Sequence, residues 1–237
     1  QGTFCLLEAA REAGIRRFVQ ISTDEVYGDA GDNPSSETDP LMPRSPYAAS
    51  KTGADRLAFS YFTTYDLPVI ITRCTNNLGP FQYPEKLIPL FVTNAIDDKQ
   101  LPVYGSGKNT RDWIFVEDHC DAIDTVLHAD DKHNGEVFNI GANKEFSVLE
   151  ITSFILDYLK KPQSLIKHVE DRLGHVKRHA VTTGKIKDAL GWKSKTSFDD
   201  AMGRTVQWYL DNESWWRRIK EKQEDYQKFM KEYYKNR

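Results

Sequence analysis

Residues 22–29 read STDEVYGD. Two acids, Asp24 and Glu25, stand side by side after the apolar run FVQIS (18–22) and before a turn-rich stretch. Adjacent carboxylates repel, and desolvation adds to the cost of holding them at the end of a buried strand. The pair therefore either faces solvent in a loop or belongs to a site that uses it. Taken alone, two neighbouring acids in a loop are usually just solvated, so the surroundings have to decide.

Upstream, TFCLLEAAREA (3–13) repeats apolar residues at helical spacing, and Gly14 is a natural stop. Downstream, residues 28–46 are rich in glycine, proline, serine and acids, the composition of a loop. A long helix is expected from about Pro46 to Tyr65, then a β-branched strand PVIITR (68–73). The alternation continues with a loop at 75–85, a helix at 86–96 despite Pro89, and a strand LPVY (101–104). A turn (105–110), a strand RDWIFV (111–116), an acid-started helix (117–129) and a strand EVFNIG (136–141) follow. Ser147 and Glu150 have the spacing of a capping box for the next helix. Strands alternating with helices predict an α/β fold around a parallel sheet. The carboxyl ends of such strands are where ligands bind, and Asp24 and Glu25 fall at one of them.

At 237 residues, 39% hydrophobic and 28% charged, the chain can bury a sizeable core. A net charge of -3 offers no electrostatic case for nucleic acid or an anionic membrane. No apolar run has the length of a membrane span, and the first residues do not read as an export signal. Cys5, Cys74 and Cys120 are few and far apart, the usage of reduced thiols in a cytoplasmic protein. His119 beside Cys120 lacks the spacing of a metal site, so no metal is expected. From Glu213 on, aromatics and charges of both signs are interleaved. A surface helix with one apolar stripe is the plainer reading, and a partner-binding helix the sharper one.

Tyr47-Ala-Ala-Ser-Lys51 sharpens the case for chemistry. A tyrosine and a lysine at i and i+4 share a helix face. An ammonium favours tyrosinate, which predicts a lowered phenol pKa and a general base. The pattern by itself is common, but here it opens the helix after the loop that follows T-D-E.

In order, STDEVYG, SPYAASK, RCTNNLGPFQYPEKLIP, LPVYGSGKNTRDWIFVEDH, VFNIG and DRLGH resemble the nucleotide-diphosphate-hexose 4,6-dehydratases. These form a group of the extended short-chain dehydrogenase/reductases, and the dTDP-glucose type is the most similar. Related epimerases usually lack the acidic pair, and related decarboxylases keep the glutamate without the aspartate. The resemblance implies a partial Rossmann-like parallel sheet with helices on both faces, plus a smaller mixed α/β substrate domain. It assigns 1–75 and 112–145 to the NAD-binding part, and 76–111 and 146–237 to the nucleotide-sugar part. It implies NAD as cofactor and dTDP-glucose or UDP-glucose as substrate. A homodimer through helices 3–13 and 46–65 is implied as well.

The resemblance also assigns roles. Tyr47 takes the C4 hydroxyl proton, Glu25 the C5 proton, and Asp24 protonates the leaving C6 hydroxyl, with Thr23 on the C4 oxygen. Tyr47, Lys51, Asn77 and Ser22 are expected at the cofactor. Asn76, Lys86, Leu87, Pro102, Val103, Tyr104, Arg111, Asn139, Asp171, Arg172 and His175, with Thr23, are expected at the substrate. Leu173 and His179 depart from the family, which has proline and tyrosine there. Arginines suit a diphosphate by charge and bidentate geometry.

No glycine-rich phosphate loop opens a strand–helix unit in the sequence. The expectation is that roughly 100 residues of βα units precede Gln1 in the family, and that this chain alone binds NAD poorly and is nearly inactive. Other readings are a UDP-sugar 4,6-dehydratase, an epimerase or decarboxylase of the same group, or a nonenzymatic nucleotide-sugar-binding remnant.

Overall fold

The computed structural model describes residues 1–171 and 174–234, the side chains of residues 229, 231, 233 and 234 excepted. The chain runs α1 (Gly2–Ala13), β1 (Phe18–Thr23), α2 (Pro46–Tyr65), β2 (Val69–Cys74), β3 (Asn76–Leu78), α3 (Leu87–Ile96), β4 (Leu101–Tyr104) and β5 (Thr110–Phe115). It continues through α4 (Val116–Leu127), β6 (Val137–Ile140), β7 (Glu145–Ser147), α5 (Val148–Tyr158), β8 (Ile166–Val169) and β9 (Arg178–His179). Helices α6 (Gly184–Leu190), α7 (Phe198–Asp211), α8 (Glu213–Lys222) and α9 (Glu224–Tyr234) complete it.

Two compact units emerge. The first comprises Gln1–Asn77, Arg111–Glu145 and Val176–Lys195; the second comprises Leu78–Thr110, Phe146–His175 and Thr196–Arg237. Residues 176–195, expected with the substrate part, cluster instead with the first unit. His179 and Ala180 are buried there, and Arg178 forks onto Glu145 at 2.6 and 2.7 Å.

The first unit is built on a parallel sheet in the order β1–β2–β6, with Phe18 opposite Val69 and Thr23 opposite Cys74. All six residues of β2 are buried, as a central strand of β-branched residues requires. Its side chains alternate. Val69 and Ile71 join Leu7, Ala10, Ala58 and Tyr61 under α1 and α2. Ile70 and Cys74 join Ala122, Val126, Phe138 and Ile186 under α4 and α6. Helix α1 stops where Gly14 turns left-handed (φ 58°). Helix α2 starts where Ser45 accepts from the Ala48 N–H at 3.0 Å, with Pro46 in its first turn.

In the second unit α3 packs on α5 and α7, and β4 pairs with β8 in parallel. Pro89 sits in the first turn of α3, where its missing N–H costs nothing. The capping box at Ser147 and Glu150 is formed. Two corrections to the sequence reading follow. The expected loop at 75–85 contains β3, too short to carry a period. The charged C-terminal stretch is two helices rather than one, and its apolar stripe is turned inward: Trp216, Ile219 and Tyr226 are buried. No helix among the described residues is long and apolar enough to cross a membrane.

One polar chain runs through the first unit's core. Arg73 of β2, 1% exposed, donates to both Asp55 oxygens (2.9 and 3.0 Å) and to the Tyr27 hydroxyl (2.7 Å). Tyr27 donates to Asn139 Oδ1 at 2.8 Å. Removing one partner of such a pair leaves a buried charge uncompensated. Asp55→Ala is therefore expected to cost about 3–5 kcal/mol, read by urea denaturation. A loss below about 1 kcal/mol would mean that the pair holds nothing together.

Candidate active site

After Thr23, at the carboxyl end of β1, the chain makes a single 3-10 turn, Asp24–Tyr27. Thr23 caps it, its hydroxyl oxygen accepting from the Glu25 N–H at 3.3 Å. Gly28 closes the turn at φ 84°, and a Cβ there would run into the Met42 carbonyl oxygen. The turn thus holds Asp24 3% exposed and Glu25 half-buried.

Burial first, then the negative charges of Glu25 and Asp112, push the Asp24 carboxyl up to about 7, against the opposing charge of Arg111. Its Oδ1 accepts from the Thr23 hydroxyl at 3.3 Å; its Oδ2 is buried with no partner among the described residues. Near neutral pH this carboxyl holds a proton it can give away.

Tyr47 opens α2 and meets the same turn. It is hydrogen-bonded to Thr23 and feels the charges of Glu25 and Asp24. The residue as a whole is 54% exposed, yet desolvation of its hydroxyl, then Glu25, Cys74 and Asp24, raise its pKa above the ordinary phenol value. The expectation of a lowered value is corrected. Lys51 Nζ donates to the Ile21 carbonyl at 2.7 Å, while two carboxyls lie on the phenol's side.

Asn77 Nδ2 donates to the Thr75 carbonyl (3.2 Å), and its Oδ1 lies 2.8 Å from His119 Nδ1. Arg111 reaches the Val176 and Lys177 carbonyls at 2.9 and 3.3 Å. The first unit thus gathers Thr23, Asp24, Glu25 and Tyr47 into one interacting cluster, with Lys51 at the end of β1 and Arg111 acting on Asp24. Asn76 and Asn77 lie on β3, half-buried. Asn139 is fully buried, its side chain donating to the Ser35 carbonyl (3.1 Å) and accepting from Tyr27, so it also braces the core.

Within the second unit, Pro102, Val103 and Tyr104 form β4, with Val103 buried. The β4–β8 register brings the following Gly105 against Asp171, whose Oδ1 lies 2.6 Å from His175 Nδ1. Lys86 precedes α3, paired with Glu85 at 3.1 Å, and Leu87 is its first residue. Arg172 and Leu173 lie outside the described residues.

Asp112 escaped the sequence reading, and His119 was weighed there only as a metal ligand. Asp112, 1% exposed, is pushed up to about 6 by burial, against the N–H groups of Lys144, Asn143 and Ala142. His119 is driven down to about 4 by burial and stays neutral beside Asn77. The only local signals were an acid within a strand and a histidine after two acids.

The family model of GDP-mannose 4,6 dehydratase matches residues 1–205. A low-salt glycan biosynthesis protein of Haloferax volcanii, Agl12, is 52% identical over 90% of this chain and 68% of its own length. A dTDP-glucose 4,6-dehydratase of Streptomyces niveus is 47% identical over 92% of this chain and 65% of its own. The dTDP-glucose 4,6-dehydratase DesIV of Streptomyces venezuelae, crystallised with NAD, superposes with a TM-score of 0.90 at 47% identity, covering 92% of this chain and 67% of DesIV. The chain belongs to the GDP-mannose 4,6 dehydratase family, and it spans about two thirds of the length of these relatives.

A carboxyl raised in the fold favours the protonated folded state. The unfolded chain releases that proton from about pH 4, so Asp24 erodes stability as pH rises from there to about 7 and adds no further slope above. Asp24→Asn is expected to be more stable than the parent by about 2–4 kcal/mol above pH 7 and equal to it below about pH 4. Denaturant titrations across pH check this; parallel curves for the two proteins would contradict it.

Proposed function

We propose that the protein carries out the NAD-dependent 4,6-dehydration of a nucleotide-diphosphate hexose, dTDP-glucose, to the 4-keto-6-deoxy product. The observation that carries the reading is a protonatable, buried Asp24 beside Glu25 on one turn, with Tyr47 hydrogen-bonded to the Thr23 that caps it. Elimination across two adjacent carbons needs an acid and a base together, and unequal carboxyl environments provide them.

The Ser22 and Thr75 hydroxyls, at the carboxyl edge of the sheet, are buried without a partner among the described residues. With Lys51 and Asn77 nearby in the chain's path, such orphaned donors fit the polar nicotinamide-ribose end of NAD. Ser22, Tyr47, Lys51 and Asn77 would hold it. When bound, NAD would bring a cationic ring, the oxidising equivalent for C4, and the same hydride for return to C6 after water has left, so that no net oxidation remains. Tyr47 accepts the C4 hydroxyl proton, a step that its raised pKa makes dependent on added positive charge. Thr23 hydrogen-bonds the C4 oxygen. Glu25 removes the C5 proton, acidified by the neighbouring ketone, and Asp24 gives its proton to the C6 hydroxyl, which leaves as water. Arg111 and Arg172 take the diphosphate. The family resemblance assigns Asn76, Lys86, Leu87, Pro102–Tyr104, Asp171 and His175 to the nucleotide sugar. Thiols at Cys5, Cys74 and Cys120 are consistent with a cytoplasmic setting.

Assay with dTDP-glucose, following the alkaline absorbance of the 4-keto product, tests the reaction. Glu25→Gln is expected to lose about 10²–10⁴ in rate together with deuterium uptake at C5 from heavy water. Tyr47→Phe loses C4 oxidation itself. Retained C5 exchange in Glu25→Gln would assign that proton to another base.

The reading includes a homodimer through helices 3–13 and 46–65. Support comes from Phe4, Leu6 and Tyr65, which are 48%, 63% and 51% exposed on α1 and α2. Leu6→Asp is expected to shift the protein to monomer in light scattering; an unchanged mass would place the interface elsewhere.

A further inference from the structure

Away from the catalytic cluster, α3, α8 and α9 of the second unit enclose a pocket of about 340 Å³. That is the size of a small-molecule site. Leu90, Trp216, Tyr226 and Met230 form its apolar and aromatic part; Asp97, Glu221 and two amines, Lys99 and Lys220, line the rest. Trp216 is 1% exposed, with the Lys220 Nζ 5.5 Å from its ring centroid.

The amine's bonding is unusual for lysine. Nζ donates to Thr93 Oγ1 at 2.8 Å and to Asn94 Oδ1 at 3.0 Å. Both partners are neutral, and both are pinned as acceptors. The Thr93 hydroxyl spends its own proton on the Pro89 carbonyl (2.7 Å), and Asn94 Nδ2 donates to the Gln100 carbonyl (3.0 Å). Among the described residues no carboxylate forms an ion pair with Lys220. Asp97, which also lines the pocket, is taken by Lys99 and Arg217, each at 2.9 Å. Two acceptors match the two N–H groups of a neutral amine and leave one lone pair with no protein partner. An ammonium would carry a third N–H that neither acceptor takes.

We propose that this pocket is a covalent ligand site, in which the Lys220 amine takes a small aromatic aldehyde as an imine. The Nζ lone pair adds to the carbonyl carbon, and the two N–H protons pass in turn to the carbonyl oxygen, the first giving the carbinolamine and the second transferred as the C–O bond breaks. That oxygen leaves as water while the C=N bond forms; no electrons are gained or lost, and hydrolysis reverses the step. The aromatic walls take the ring. Burial first, then the charges of Lys99 and Arg217 against those of Asp97 and Glu221, bring Lys220 down to about 8, so a sizeable fraction is nucleophilic near neutral pH. This site does not depend on the dehydratase reading, and none of its residues belongs to the catalytic cluster.

The test is competitive labelling of the intact protein with para-formylbenzoate and cyanoborohydride near neutral pH, read by peptide mass spectrometry. Lys220 is expected to accumulate adduct at least about tenfold faster than the exposed Lys222. Lys220→Arg should abolish the fast site while the circular dichroism spectrum and the rest of the labelling map stay unchanged. Labelling of Lys220 no faster than Lys222, or a fast site that survives Lys220→Arg, overturns the proposal.

Discussion

The guanidinium of Arg73 is buried in the central strand of a parallel sheet, and it must be satisfied there. Asp55 from α2 and the Tyr27 hydroxyl from the 3-10 turn satisfy it, and Tyr27 passes the chain on to Asn139 of β6. These four residues tie together the elements that carry the cluster: α2 brings Tyr47 and Lys51, and the turn brings Asp24 and Glu25. A hydrophobic contact would tolerate sliding. A buried charge with directional partners tolerates very little, because each displaced donor is left without water to replace its partner.

Upon that frame the electrostatics divide the labour. Asp24 lies deepest, next to the negative charges of Glu25 and Asp112, and keeps its proton to near neutrality. Arg111 opposes this, so a residue assigned to the diphosphate also bears on the acid. Tyr47, on the open side, is held by Thr23, the same threonine that caps the turn. One short segment therefore both shapes the backbone and sets the protonation pattern.

The sequence made much of this legible, for identifiable reasons. Helix stops and starts such as Gly14, Ser45 and the Ser147–Glu150 box are local events with residue-specific signatures. The T-D-E triplet and Y-x-x-x-K stood out because their spacing and chain position are chemical statements in themselves. The bonding of Asn139 was not legible, because a polar residue in a strand looks the same whatever its partners are. Asp112 was passed over, and His119 was weighed only as a metal ligand, since nothing local distinguishes a buried acid or imidazole from an exposed one. The direction of the Tyr47 shift was missed because i,i+4 spacing places Lys51 on the same face but does not say where its ammonium points; the Ile21 carbonyl takes it.

By itself the sequence determined the alternation of strands and helices, the identity of the reactive groups and the order in which they arrive, since periodicity, capping and side-chain chemistry are properties of neighbouring residues. Only the tertiary structure decided which acid holds a proton, which polar side chains are spent on the core, and that residues 176–195 return to the first unit. Those outcomes depend on burial and on partners tens of residues away, Asp55 to Arg73 or Tyr27 to Asn139, and no local pattern records a field or a desolvation that exists only once the chain has closed on itself.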